Sequence, residues 1–64
     1  MYAVLNNRTS VVLFVDSAFA ACENEVQRLY AADDSLDPED NDVSIYDVEH
    51  LDEATKAAAA TKTI

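Results

Sequence analysis

Val11-Val12-Leu13-Phe14-Val15 is the segment that most restricts what this chain can become. Four of its five residues are β-branched or aromatic, which predicts a strand. Strand side chains alternate between two faces, and here both faces are apolar, so both have to be covered. One helix covers only one face of a sheet. The second cover must be another helix, a second copy of the chain, or a partner.

The residues on either side supply pieces of such a fold. Met1 to Leu5 alternates weakly and reads as a first strand. The chain has no glycine, so Asn6-Asn7, which tolerates positive φ, is the best pair for a tight two-residue hairpin turn; a longer loop reaching Ser10 is the alternative. After Val15, Asp16-Ser17 offers an N-cap. Phe19, Cys22, Val26, Leu29 and Tyr30 then recur at helical spacing, predicting a helix over 18–32 with one apolar stripe. Glu25 and Arg28 are three residues apart on it and can pair weakly. Asp33 to Asp42 is polar, with Pro38 holding the helix to residues before Asp37. Val43 to Val48 reads as a short strand, with Val43 and Ile45 on one face and Ser44, Tyr46 and Val48 on the other. A second helix is expected from Glu49 or Leu51, acidic in its first turn and basic later, as the helix dipole favours. Its alanines 57–60 favour helix but offer little to bury, and the tail from Thr61 is expected to fray.

The expected fold class is α+β, in the order ββαβα. It is a small three-stranded sheet with one helix packed on a face and a short C-terminal helix. All 64 residues make one domain, with an acidic loop at 33–42. A chain this short buries only about 60% of the surface it exposes when unfolded. Cys22 is the sole cysteine, so no intrachain disulfide can help, and there is no Cys/His cluster for a structural metal. Stability must come from a small apolar core, self-association or a partner. Met1 leads straight into the first strand with no basic segment before it, and the longest apolar run is too short to span a bilayer. These features predict a soluble protein of the cytoplasm, that of a host cell if the chain is phage-encoded.

Tyr2-Ala3-Val4-Leu5, Leu13-Phe14-Val15-Asp16-Ser17 and Ser44-Ile45-Tyr46-Asp47-Val48 together resemble the layout of small phage and bacterial ββαβ proteins of unknown function. In these a hairpin ends in an apolar strand and a Ser/Thr cap, followed by a helix and a Tyr-containing strand. The resemblance spans most of the chain and implies an architecture, not an activity. The acidic loop lies outside that pattern.

Charge carries the functional signal. Thirteen acids face four bases, for a net charge of −9. Ten of the acids, and no lysine or arginine, fall between Asp33 and Glu53: Asp33, Asp34, Asp37, Glu39, Asp40, Asp42, Asp47, Glu49, Asp52 and Glu53. Such a segment repels nucleic acid and anionic membrane and attracts basic protein surfaces. Duplex DNA presents a negative charge every ~1.7 Å of axis, and the proteins that grip it present lysine and arginine on that scale. In its acidic composition the chain is similar to phage-encoded inhibitors of the anti-CRISPR or DNA-mimic type, which implies that it blocks a basic groove. Two plainer readings compete: a solvated loop, and adaptation to high salt, which would spread acids evenly rather than cluster them.

The sequence carries little that suggests catalysis. Asp37, Glu39 and Asn41 alternate as calcium ligands can, but the loop lacks the turn glycine and the bidentate Glu of a calcium loop. His50 has no Ser/His/Asp or Cys/His spacing around it. Cys22 reads as a small core residue. Tyr30 and Tyr46 read as packed rings with hydroxyls at the edge, Tyr46 also as an interface anchor. Phosphate loops are excluded by the lack of glycine. The expectation is therefore a non-enzymatic interaction protein without metal or cofactor. The ten acids would bind a basic protein surface, that of a nucleic-acid-binding protein or ribonucleoprotein complex. The alternative is a structural or accessory domain acting as a homodimer or subunit through its apolar sheet face.

Overall fold

A computed structural model describes residues 1–62. Strands β1 (Tyr2–Asn6) and β2 (Val11–Asp16) lead into helix α1 (Phe19–Ala32), followed by strand β3 (Val43–Asp47), a 3-10 turn (Val48–His50) and helix α2 (Glu53–Lys62). This is the α+β fold and the ββαβα order expected from the sequence. The sheet order is β2-β1-β3, antiparallel on both sides of β1. The first strand is thus the central one, and its Ala3, Val4 and Leu5 are all buried.

The two apolar faces of β2 are covered by two helices of the same chain. On one side Val4, Cys22 and Val43 form a buried cluster, joined by Leu13, Phe14, Val26, Leu29, Tyr30, Leu36 and Ile45. On the other, Ala3, Leu5, Val12 and Ala59 cluster with Val15, Val48 and Leu51. The first is the α1 side and the second the α2 side. A β-bulge divides four of the five apolar residues between them, the fifth, Val11, being exposed. Val4 pairs with Phe14 while Leu5 pairs with Val12, so Leu13 is one residue too many for the ladder. Leu13 and Phe14 both join the α1 side, and Val12 and Val15 the α2 side.

Of the three covers that the sequence left open, a C-terminal helix, a second copy or a partner, the chain's own helix α2 takes the place. The alanines expected to bury little include one of the most buried side chains, Ala59 at 1% exposure. A methyl group adds little area, but it lets a helix backbone approach the sheet closely, and Ala3 opposite is equally small.

Several local expectations change. The hairpin takes the longer of the two alternatives, a four-residue loop reaching Ser10, and not a tight turn at Asn6-Asn7. Asn6 Oδ1 accepts from the backbone N–H of Arg8 (2.9 Å) and Thr9 (3.3 Å), and its carbonyl accepts from Ser10 N–H (2.7 Å). The left-handed residue is Ser10 (φ 61°), the position that glycine would take in a commoner sequence. The α1 N-cap is Ala18, which has no side chain to cap with. Asp16 acts two residues upstream, where Oδ1 accepts from Ala18 N–H (2.8 Å). Phe19 is 47% exposed and leaves the core stripe; its ring packs edge-on against Tyr2 with centroids 5.3 Å apart. Thr61 and Lys62 continue α2, with Thr61 Oγ1 donating to Ala57 O (2.8 Å). The rest of the tail expected to fray lies outside the described residues.

Leu5 is the largest side chain wholly on the α2 side of the central strand. Leu5→Ala is expected to cost about 2–5 kcal/mol, the range for a buried leucine. In a domain this small that is a large part of the total stability. The urea midpoint falls accordingly, read by circular dichroism.

Candidate acidic binding surface

The ten acids divide into those that hold the chain and those that face solvent without a partner. Five belong to the first kind. Asp33 follows the last residue of α1; its N–H donates to Leu29 O (2.9 Å), and its Oδ1 accepts from the Ser35 amide (2.9 Å) and hydroxyl (2.6 Å). Asp37 Oδ1 accepts from Glu39 N–H (2.9 Å), opening the turn that contains Pro38. Asp42 closes that turn: its Oδ2 accepts from Asp37 N–H (2.9 Å) and its N–H donates to Asp37 O (3.2 Å). Asp47 Oδ1 accepts from Glu49 N–H (3.0 Å) and caps the 3-10 turn. Asp52 Oδ1 accepts from Thr55 N–H (2.8 Å) and caps α2.

Asp42 is the exception in burial. At 5% exposure it is the one buried charged residue among those described, and Arg8 Nη1 lies 3.5 Å from Oδ2. A buried carboxylate needs such partners, because desolvation penalises its charge. Asp42 is therefore part of the frame and is withdrawn from any surface that could meet a partner.

The remaining five, Asp34, Glu39, Asp40, Glu49 and Glu53, are exposed and their carboxylates make no hydrogen bond or ion pair among the described residues. They do not form one continuous line. Asp34, Glu39 and Asp40 stand on the loop before β3, whereas Glu49 and Glu53 come after it. The intervening strand Val43–Asp47 spans about 13 Å at ~3.3 Å per residue. Nor do Glu49, Asp52 and Glu53 share one helix face. Glu49 sits in the 3-10 turn, Leu51 and Asp52 break the helical run, and Glu53 begins α2. The break exists because Asp47 and Asp52 each cap a separate turn.

The residue that sequence reading missed is Asn7. Its Nδ2 donates to Asn41 O and to Ser44 Oγ (2.8 Å), its Oδ1 accepts from the Tyr46 hydroxyl, and its N–H donates to Asp42 O (2.7 Å). One side chain thus ties the hairpin loop to the acidic loop and to β3. Asn41 completes the turn with φ 52°, a left-handed conformation that asparagine tolerates well. Asn6-Asn7 carried a turn signal, but nothing in the sequence ties Asn7 to partners 34–39 positions away. Tyr30 seals the same end of β3, its hydroxyl donating to Val43 O and accepting from Val43 N–H, both at 3.0 Å.

Other candidates sit where little chemistry is available. Cys22 is buried, and burial, with the nearby charge of Asp16, pushes its thiol pKa up. His50 is exposed at the end of the 3-10 turn. Of the three possible calcium ligands, Asp37 is engaged by Glu39 N–H and the Asn41 carbonyl by Asn7. Among the described residues no three His, Cys, Asp or Glu side chains are grouped to hold a metal ion, and no helix is long and apolar enough to cross a membrane. Beside α2, Met1, Val48, Lys56, Ala59 and Ala60 line an apolar hollow of about 210 Å³. Compared with known protein families, curated proteins and solved structures, the chain matches none.

Two outcomes follow from this geometry. Asn7→Ala removes three side-chain hydrogen bonds and is expected to cost about 1 kcal/mol or more, at ~0.5–1.5 kcal/mol per bond. Amide exchange in residues 37–44 speeds up more than in β1. The second outcome concerns acid. Hydrogen bonds from Ser35, side chain then backbone, hold Asp33 below the usual value of 3.8, and bonds from Thr55 do the same for Asp52. The Arg28 guanidinium, donating to both Glu25 oxygens at 2.8 and 2.6 Å, lowers Glu25. A carboxylate with a lowered folded pKa stabilises fully above its unfolded value and loses that contribution as pH falls through the folded one. Melting curves between pH 7 and pH 2 should therefore show part of the acid limb below about pH 4. The double variant Asp33→Ala, Asp52→Ala is destabilised at pH 7 and flatter over that limb.

Proposed function

We propose that this protein is a non-enzymatic acidic inhibitor or interaction module that binds the basic groove of a nucleic-acid-binding protein or ribonucleoprotein complex, in the manner of a phage-type DNA mimic acting in the cytoplasm of a host cell. One observation carries the reading. Of thirteen acids, only Asp42 and Glu25 lie in ion pairs among the described residues, while five carboxylates between Asp34 and Glu53 stand exposed and unpaired. Keeping unpaired like charges together costs self-repulsion, and a basic partner would reverse that cost into attraction. The pairs would be charge-assisted hydrogen bonds to arginine or lysine, with each carboxylate standing where a phosphate would. The field of −9 charges would speed the encounter, and salt would weaken it.

The division of the acids refines which residues do this. Asp34, Glu39, Asp40, Glu49 and Glu53 are the contact residues. Asp33, Asp37, Asp42, Asp47 and Asp52 hold the surface in shape. The alternative, a homodimer or subunit acting through the apolar sheet face, has less support because α2 packs on that face.

The test is a tagged pull-down from lysate, washed in parallel at low and high salt, with the captured proteins identified by mass spectrometry. A basic nucleic-acid-binding protein that is held at low salt and released at high salt is the expected result. Asp34→Asn, Glu39→Gln, Asp40→Asn and Glu49→Gln combined should weaken that capture at least tenfold while leaving the melting temperature unchanged or raised. Capture by this variant equal to wild type would sink the proposal.

A further inference from the structure

The outer edge of β3 bears on how such a partner would be held. Hydrogen bonds Asn7 N–H to Asp42 O and Val48 N–H to Met1 O fix the alternation of the β1–β3 ladder. In an antiparallel pair only every second residue bonds across. Residues Ser44 and Tyr46 therefore turn their backbone groups toward β1, while Val43, Ile45 and Asp47 turn theirs outward. The Tyr30 hydroxyl occupies both outward groups of Val43. The N–H and C=O of Ile45 and the N–H of Asp47 are left facing away from the sheet. Such an edge is a template for another strand. The opposite edge, β2, is broken by the bulge at Leu13, a common way to blunt an edge.

We propose that the outer edge of β3 receives an extended basic segment of the partner as a fourth strand, an inference that rests on the acidic reading above and names its mode of contact. Charge selects the occupant. Glu39 and Asp40 stand four and three residues before β3, and Asp47 and Glu49 at and just beyond its end. A second copy paired antiparallel through this edge would set the acids of one chain against those of the other. A segment with lysine or arginine at both ends and alternating small apolar residues between them meets opposite charge at both ends. Main-chain hydrogen bonds at Ile45 supply affinity that does not depend on side chains, as in other cases of strand addition. The Tyr30 hydroxyl acts as a stop that sets the register.

The probe is an end-blocked heptapeptide, Lys-Lys-Val-Thr-Val-Lys-Lys, titrated into the isotopically labelled wild-type protein and followed by NMR at low salt. A second probe of the same sequence is N-methylated at its three central residues. It keeps every charge but cannot donate from its three central residues, the ones that would pair at Ile45. The expected result is that the plain peptide shifts the amides of residues 43–49 and slows exchange at Ile45 at least tenfold at saturation. The methylated peptide binds at least tenfold more weakly. Equal binding by the two peptides overturns strand addition while leaving the charge reading intact. Absence of binding by the plain peptide, or shifts confined to other parts of the chain, overturns the proposal as well.

Discussion

The burial of β1 between two strands and two helices is the constraint on which the other layers depend. Val4 is fully buried toward α1, and Ala3 and Leu5 are buried toward α2. A strand flanked on both edges pairs its backbone with two neighbours, and it offers the neighbouring elements an apolar floor. Neither helix could dock without it. Helix α1 presents Cys22, Val26 and Leu29 to one side, and α2 presents Ala59 to the other. In a domain of 64 residues with no disulfide, this single strand is where the small core is concentrated.

The acidic segment is built around that frame rather than apart from it. A loop with so many like charges would be expected to stay extended and wet. Here Leu36 reaches the α1-side core, Asp42 is buried beside Arg8, and Asn7 binds the loop to the hairpin. Five carboxylates accept local backbone amides, which ties them into the turns of the frame. The surface that remains is held in place on both sides of β3. Rigid presentation matters for binding, since charges already fixed in position lose less entropy when a partner arrives.

Parts of this were legible in the amino-acid order. The apolar pentad 11–15 announced a strand needing two covers, the spacing of Cys22, Val26, Leu29 and Tyr30 announced α1, and the turn residues placed the breaks. The capping roles were legible only in part. Asp16 was recognised as a capping residue but acts two residues upstream of the N-cap, and Asp52 read as part of the second helix when it caps it, while the cap that Asp47 gives the 3-10 turn was not foreseen. Of the acids, composition could state the number and the clustering. It could not say that Asp42 would be buried, because local sequence does not report which side of a loop faces a core.

What the sequence determined by itself was the set of elements, the fold class and the excess of negative charge, all of which arise from interactions between near neighbours along the chain. Tertiary structure alone decided that the first strand is the central one. It also made Leu13 a bulge that lets both faces of β2 be filled, gave an alanine helix the second cover, and made Asn7 the tie between two loops. These outcomes depend on pairings between residues far apart in the chain, where strand order and the close approach of small side chains settle the contest, and no periodicity or local propensity encodes them.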